Sequence, residues 1–343
     1  MRRAIQNAWV AREWLACFLW PVSVLYGLLV FTRRLLYRRG FLKSVKLPVP
    51  VIVVGNVVAG GGGKTPLVIC LVQRLQHQGW QPGVVSRGYG RHGSTSLEVL
   101  LTTPIQESGD EPMLIKQKTG APVFVGSKRA ATAMALLEAH PGTQVIVCDD
   151  GLQHHALQRD LEIVVFDDRG TGNGWLLPAG PLREPWPATG NNIPPIVLHT
   201  GSKPAFGGFT SSRRLSEKAL QRNGTSVPLS RFRGQHVTAL AAIANPDAFF
   251  DMLKAGGILL DQGISLPDHH DISLADLQPA FDSTVLCTEK DAVKLFALAS
   301  ASAINILAVP LEFEPEPAFF RAFDDLLSPL LSQLPSGHGT QTA

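Results

Sequence analysis

The residues best suited to chemistry fall into short clusters, and the first is PVIVVGNVVAGGGGKTP, where an apolar run enters glycines and Gly63-Lys64-Thr65 opens a helix. Glycines let main-chain N–H groups converge on a phosphate chain, and the helix N-terminus adds partial positive charge. In such a loop the lysine neutralises β- and γ-phosphate oxygens and the threonine hydroxyl ligates Mg²⁺. The expected ligands are ATP and Mg²⁺, held by Val58, Ala59, Gly60, Gly61, Gly62, Gly63, Lys64 and Thr65. The common GxxxxGK[ST] pattern has glycine where Val58 stands. A bland glycine-rich turn would leave Lys-Thr at a helix start, straight after an apolar strand, without a reason. Ala59 argues against the dimeric partitioning ATPases, which place a lysine just before their glycine pair.

Acidic and basic groups follow at spacings that suit phosphate chemistry. Asp149 and Asp150 close the apolar run QVIVC. Two adjacent carboxylates there are costly without a cation or hydrogen bonds, so a Mg²⁺ or phosphate role outweighs a solvent-facing turn. Asp110, in Gly109-Asp110-Glu111-Pro112, precedes a helical stretch. Its spacing favours a helix cap; the alternative is the base that takes a proton from an attacking hydroxyl. Pro267-Asp268-His269-His270-Asp271 reads either as a surface loop or as a site for acid–base work or metal ligation. Arg169–Pro185 is a long glycine- and proline-rich run containing Arg183 and Glu184, and irregular runs of that length inside a compact body are often functional.

Elements that would position these groups alternate between short apolar strands and helices. VPVIVVGN, QPGVVS, SLEVLLT, PVFVG, QVIVCDD, LEIVVFDD and IVLHT read as strands, with helices from about Lys64 to Gln78, Glu111 to Thr119 and Lys128 to Ala139. That rhythm implies an α/β fold, with a P-loop NTPase-like parallel sheet core whose strand ends carry function. From 201 to 236 the chain turns rich in Ser, Gly and Arg, and the rhythm resumes with VTALAAI, VLCTEKDAVKLFAL and INILAVPLEF. The expected plan is a P-loop core at 47–200, extended connections at 201–236, a second, smaller α/β domain at 237–331 and a frayed tail at 332–343.

Ahead of the core, residues 1–46 hold a nearly uncharged stretch, Trp14–Thr32, followed by Arg33, Arg34, Arg38, Arg39, Lys43 and Lys46. A cleaved signal peptide would show a small-residue cleavage site in place of RRLLYRRG, and a buried soluble helix rarely precedes so basic a run. A hydrophobic helix that spans the membrane or lies in its interface fits the length and the flank. If the helix spans, the basic bias puts the body on the cytoplasmic side, and the basic run is drawn to anionic headgroups; the expected seat is the inner membrane. A net charge of +3 is too small to imply nucleic-acid binding, and no obligate protein partner is evident. The four cysteines are far apart without a CxxC pair, and three sit in apolar runs, which points to buried thiols in a reducing compartment.

Taken together, these segments resemble the tetraacyldisaccharide 4′-kinase family. The resemblance rests, in order, on GNVVAGGGGKTP, VVSRGYG, GDEP, VIVCDDGLQHHAL, RGTGNGWLLPAGPLREP, PDHHD and TEKDAVKL, spanning Gly55 to about Leu295. It implies that Gly60, Gly61, Gly63, Lys64 and Thr65 bind ATP and that Asp149 and Asp150 lie near Mg²⁺. It further implies Asp110 as catalytic base supported by His269, active-site places for Arg183 and Glu184, and a substrate or phosphate contact for Arg87. The family's loop is variable where Val58 stands. The expected reaction is γ-phosphoryl transfer from ATP to the 4′-hydroxyl of an acylated glucosamine disaccharide phosphate, whose lipid chains explain the apolar leader. Two competing classes are a membrane-bound NTPase switch or chaperone, which would carry an NKxD motif or a signature lysine that this sequence lacks, and a nucleotide sensor, which leaves the strand-end acids and the histidine pair unemployed.

Overall fold

The computed structural model describes residues 8–60, 62–187, 194–278, 283–298 and 304–333. Helix α1 (Trp14–Arg38) leads. Then come β1 (Val51–Gly55), α2 (Lys64–His77), β2 (Pro82–Ser86), β3 (Leu97–Glu98), α3 (Asp110–Thr119), β4 (Val123–Val125), α4 (Arg129–Ala139), β5 (Val145–Asp149), β6 (Leu161–Phe166), β7 (Ile196–His199) and β8 (Phe209–Leu215). The large sheet runs β15-β8-β7-β6-β1-β5-β2-β4-β3, where β15 is Leu311–Pro315. Its interior pairs are parallel, and antiparallel pairing is confined to the edges, β15 on β8 and β3 on β4.

Strand β1 shows why the apolar runs fold this way. All five of its residues are buried. Ile52 and Val54 enter one core with α2, while Val51 and Val53 enter the opposite core beside Ala133 and Leu136 of α4. A strand covered on both faces needs an unbroken apolar sequence, as VIVV provides. Pairing of β1 with β5 sets Val54 opposite Asp149, so the glycine loop and the paired aspartates leave adjacent strand ends together. On α2, Leu67, Val68, Leu71, Val72 and Leu75 form one buried helical stripe, which aims the helix N-terminus at the same edge.

The second sheet runs β10-β9-β14-β13-β11-β12. Its strands are β9 (Lys218–Gln221), β10 (Ser226–Pro228), β11 (His236–Ala241), β12 (Leu259–Ser265), β13 (Val285–Thr288) and β14 (Ile306–Val309), with α5 (Pro246–Ala255) and α6 (Glu289–Leu295) packed on it. The expected boundaries differ from this topology. Residues 201–236 are not mere connections, because β8 extends the large sheet while β9 and β10 build the edge of the small one. Ser and Arg dominate β8 because several of its side chains are exposed, and it contributes mainly through backbone pairing. Nor does 237–331 form one body. After β14 the chain returns through β15 to the large sheet, and α7 (Pro317–Leu331) covers it with Phe319, Phe323, Leu327 and Leu331. SLEVLLT keeps only Leu97–Glu98 as strand. The tail expectation falls beyond residue 333, outside the described residues.

Because Phe323 is fully buried in the large core, Phe323→Ala is expected to cost about 3–5 kcal/mol, read by chemical denaturation. A loss below about 1 kcal/mol would place α7 outside that core.

Candidate active site

Three groups hold the phosphate-binding loop in shape. Lys64 Nζ donates to Asn56 Oδ1 (3.2 Å), and Asn56 Nδ2 donates to Gly60 O (2.8 Å). Thr200 Oγ1, at the end of β7, donates to Gly62 O (2.8 Å). Gly63 caps α2 with φ of 80°, and a Cβ there would lie 2.0 Å from Arg213 Nη2, so the β8 arginine sits directly over the loop. The left-handed φ is what calls for glycine there, since the arginine tip could swing aside. Val58 and Ala59 face another partner: Val58 bridges to Leu182, and Ala59 N donates to Pro181 O (2.8 Å). Gly61 lies outside the described residues.

Asp149 and Asp150 separate sharply. Asp149 is buried (1% exposed) and accepts from Ser86 Oγ (3.1 Å), while its Oδ1 makes no hydrogen bond among the described residues. Burial, with the nearby Glu111 charge, pushes its pKa up to about 7 against the pull of Lys64. Asp150 adopts φ of 51° and turns to Arg183 Nη1 (3.1 Å) and Lys64 Nζ (3.6 Å). Burial raises its pKa, but Lys64 and Arg183 outweigh that and hold it below the usual range. No three His, Cys, Asp or Glu side chains gather into a metal cage among the described residues. A buried carboxylate oxygen without a partner, with Thr65 in the first turn of α2, fits Mg²⁺ arriving with a nucleotide: such an ion keeps waters and takes phosphate ligands.

Across the cleft, His269 Nδ1 lies 3.1 and 3.2 Å from the two oxygens of Asp110, which is 3% exposed. Two lysines from α6 join the pair. Lys294 Nζ lies 3.0 Å from Asp110 Oδ2; Lys290 Nζ lies 3.0 Å from Asp268, 3.2 Å from Glu111 and 3.9 Å from Asp110. Burial alone would raise the Asp110 pKa, yet the His269 hydrogen bond and the Lys290, His269 and Lys294 charges hold it well below the carboxylate range. The same carboxylates, Glu111 and Asp110 foremost, raise the Lys290 ammonium against its own burial. Asp110 also accepts from Glu111 N (3.0 Å), but it is the first residue of α3 and not its cap: Gly109 holds the N-cap position and no side chain caps the helix, so the cap expected from spacing is not formed. A cavity of about 760 Å³ opens beside the pair, walled in part by Tyr89, Ile105, Met113 and Phe296.

The glycine- and proline-rich run after β6 joins these parts to α1. Arg183 N donates to Val57 O (2.7 Å), and its guanidinium reaches Asp150 and Gln153. Glu184 is buried, accepting from Gln153 Nε2 (2.6 Å) and facing Arg34 of α1 (3.6 Å). Most of the residues singled out by sequence therefore fall into two groups, one around Lys64, Asp150 and Arg183 and one around Asp110 and His269, linked by the Glu111 charge near Asp149. Arg87 does not join the ion network; it is exposed at the end of β2, with Arg129 and His154 as charged neighbours. Sequence reasoning missed Asn56, Thr200, Arg213, Lys290 and Lys294. A signal existed for the last two, lysines four apart on one helix, and so on one face.

The four cysteines are free thiols, and Cys17 is exposed on α1 rather than buried. On that helix the outward face is apolar, including Trp14, Phe18, Leu25, Leu28, Leu29 and Phe31. Its length and composition suffice to cross a membrane.

The family model described as tetraacyldisaccharide-1-P 4′-kinase matches residues 15–328. A tetraacyldisaccharide 4′-kinase of Polaromonas naphthalenivorans is 62% identical over the whole of both chains. One from Acidovorax sp. (strain JS42) is 52% identical, over 97% of this chain and 96% of its own. Among solved structures, Aquifex aeolicus LpxK in complex with ATP superimposes with a TM-score of 0.76 at 30% identity, covering 92% of this chain and 99% of that one.

The buried Asp149 charge gives a pH-dependent test. Its folded pKa is raised above the unfolded value, so ionisation opposes folding as pH climbs, with the full cost reached above about pH 7. In nucleotide-free protein, Asp149→Asn is therefore expected to raise Tm at pH 8, the gain shrinking as pH falls and vanishing near pH 4, while phosphoryl transfer is lost. Equal Tm values across that range would refute a buried ionised Asp149.

Proposed function

The chain belongs to the tetraacyldisaccharide 4′-kinase family, and we propose that it carries out that family's reaction with the two halves of the cleft between its sheets. It is an ATP-dependent phosphotransferase acting on a hydroxyl acceptor, the 4′-hydroxyl of tetraacyldisaccharide 1-phosphate, in lipid A biosynthesis. The observation that carries the division of labour is the nearness of a phosphate cradle to a buried histidine–carboxylate pair. Glu111 follows Asp110 directly and is the strongest charged neighbour of Asp149.

Phosphoryl transfer asks a protein mainly for position and charge neutralisation. The glycine amides and the α2 N-terminus receive the triphosphate, with Lys64 at its β- and γ-oxygens and Arg213 over Gly63 adding charge. The acceptor oxygen bonds to the γ-phosphorus as the bond to the bridging oxygen breaks, and ADP leaves with that electron pair. The acceptor proton passes to the Asp110–His269 pair. The lysines keep Asp110 ionised and ready, but lower its hold on a proton, so the neighbouring imidazole shares it. Mg²⁺, held by Thr65 and Asp149 or Asp150, would offset charge on the β- and γ-phosphates. Arg183 keeps Asp150 directed at the loop, and Glu184 supports it through Gln153; Arg87, exposed just after β2, would contact substrate or phosphate.

Membrane seating follows from α1. An exposed apolar face with Arg33, Arg34, Arg38 and Arg39 at its end suits an anionic surface. We place the protein at the inner membrane, its body on the cytoplasmic side, so that only the acceptor's headgroup enters the cleft.

With γ-radiolabelled ATP and the lipid acceptor, label is expected in lipid; label released only as free phosphate would return the protein to the NTPase class. Lys64→Ala is expected to abolish transfer. Asp110→Ala is expected to lower kcat by about a hundredfold or more; an unchanged kcat with lower Tm would leave it only a structural partner of the α6 lysines.

A further inference from the structure

We propose that α1 is a working part of the active site as well as a membrane anchor, with Ser23 and Tyr26 on its docked edge setting the position of Arg183. The proposal rests on the kinase reading above but concerns a different face of the helix from the one that meets lipid.

One edge of α1 lies against the body from end to end. Trp9, just before the helix, donates from Nε1 to Pro178 O (2.9 Å), and Arg12 Nε donates to Asn173 O (3.1 Å). Within the helix, Trp20 packs on Trp175, Ser23 is buried, Gly27 sits where a Cβ would lie 2.8 Å from Leu176 Cδ1, and Tyr37 packs on His155. These positions recur at helical spacing, so they form one edge. Serine and glycine are out of place in a stretch that only faces lipid. Here Ser23 Oγ donates to Leu176 O (2.8 Å) and accepts from Ala179 N (2.9 Å).

From that edge a short series of hydrogen bonds reaches the phosphates' site. Tyr26 Oη donates to Arg183 O (2.8 Å), and Arg183 N donates to Val57 O (2.7 Å). The Arg183 guanidinium then holds Asp150, which faces Lys64. Residues 169–187 form no helix or strand of their own; Leu182 is tied within the run to Trp175 and Leu177, while the hydrogen-bond partners of Arg183 itself, Tyr26, Val57, Asp150 and Gln153, lie outside it. Behind it stands α1; ahead stands the phosphate loop, through Val57 and Ala59. Removing the helix-side bond leaves the Arg183 carbonyl without that partner and widens the range of positions its guanidinium samples. Tyr26 is thus a positioning residue, acting through Arg183.

The test uses the full chain in detergent micelles, with a water-soluble disaccharide 1-phosphate bearing acetyl groups as acceptor, so that membrane seating does not limit the rate. Tyr26→Phe and Ser23→Ala are each expected to lower kcat about tenfold, with binding to anionic phospholipid vesicles unchanged. Arg183→Ala combined with Tyr26→Phe is expected to be no slower than Arg183→Ala alone. The opposite face gives the contrast: Leu25→Ser with Leu29→Ser should lose vesicle binding yet keep kcat on the soluble acceptor. A kcat for Tyr26→Phe within twofold of wild type, or additive losses in the double variant, would overturn the proposal. Loss of soluble-acceptor kcat in the leucine variant would overturn it too, because the two faces would then not be separable. A wild-type chain that moves no label to any acceptor would instead strike the kinase reading beneath it.

Discussion

Asp150 leaves the end of β5 with a left-handed backbone, and that turn lets its carboxylate meet Lys64 and Arg183 while Asp149 stays inside the sheet. Aspartate tolerates such a conformation better than most residues. The consequence is a division between neighbours that share one sequence context. One carboxylate is ionised by two cations and fixes the lysine of the phosphate loop; the other is pushed toward neutrality by burial and keeps one oxygen unpaired. Environments that drive two acids apart are what assign them different tasks. The surrounding architecture serves this separation. β1 and β5 pair in parallel so that the loop and the acids emerge together, and Arg183 is pinned by its own backbone to Val57.

The same logic governs the opposite wall. Asp110, Asp268 and Glu111 would repel one another if left alone, and burial of Asp110 would favour its neutral form. Lys290 and Lys294, one turn apart on α6, offset both effects by placing ammonium groups among the acids. Since α3 begins on the large sheet and α6 on the small one, this ion network is also a contact between the two sheets' bodies. Charge that keeps Asp110 ionised thus also joins the two bodies, and the two effects share the same side chains.

How much of this was legible depended on whether a feature is local. The phosphate loop, the strand-end acids and α2 were readable because a buried strand, glycines and a helix start obey short-range rules. The pairing of Asp110 with His269 joins residues 159 apart in the chain, and no spacing rule reaches that far; resemblance to a family supplied it. Lobe boundaries failed for a related reason. The exposed strand β8, FTSSRRL, carries no apolar alternation, and β15 with α7 returns to the large sheet after the small one is complete. Composition reports burial, whereas β8 is held by its backbone bonds to β7 and β15. Arg213 was invisible for the same reason: it reaches Gly63 only because β8 joins the large sheet.

Ser23 and Gly27 bring the argument back to α1. A purely lipidic helix gains most from large side chains on every face, and each small or polar residue forfeits apolar surface. The sequence WPVSVLYGLL accepts that loss at two positions that touch the body, where a hydroxyl satisfies a buried carbonyl and amide and a missing side chain admits Leu176. The loop it meets has a matching concession: a Cβ on Gly172 would lie 2.6 Å from Trp9 O, just ahead of the helix. Small residues on both sides bring the two backbones close, and close backbones transmit position more faithfully than long side chains do, since fewer torsions intervene. An enzyme whose acceptor resides in the bilayer must hold its phosphate donor at a set depth beneath the headgroups. On the seating and positioning proposed above, an arginine held from the anchor's own edge would make that depth a property of the fold.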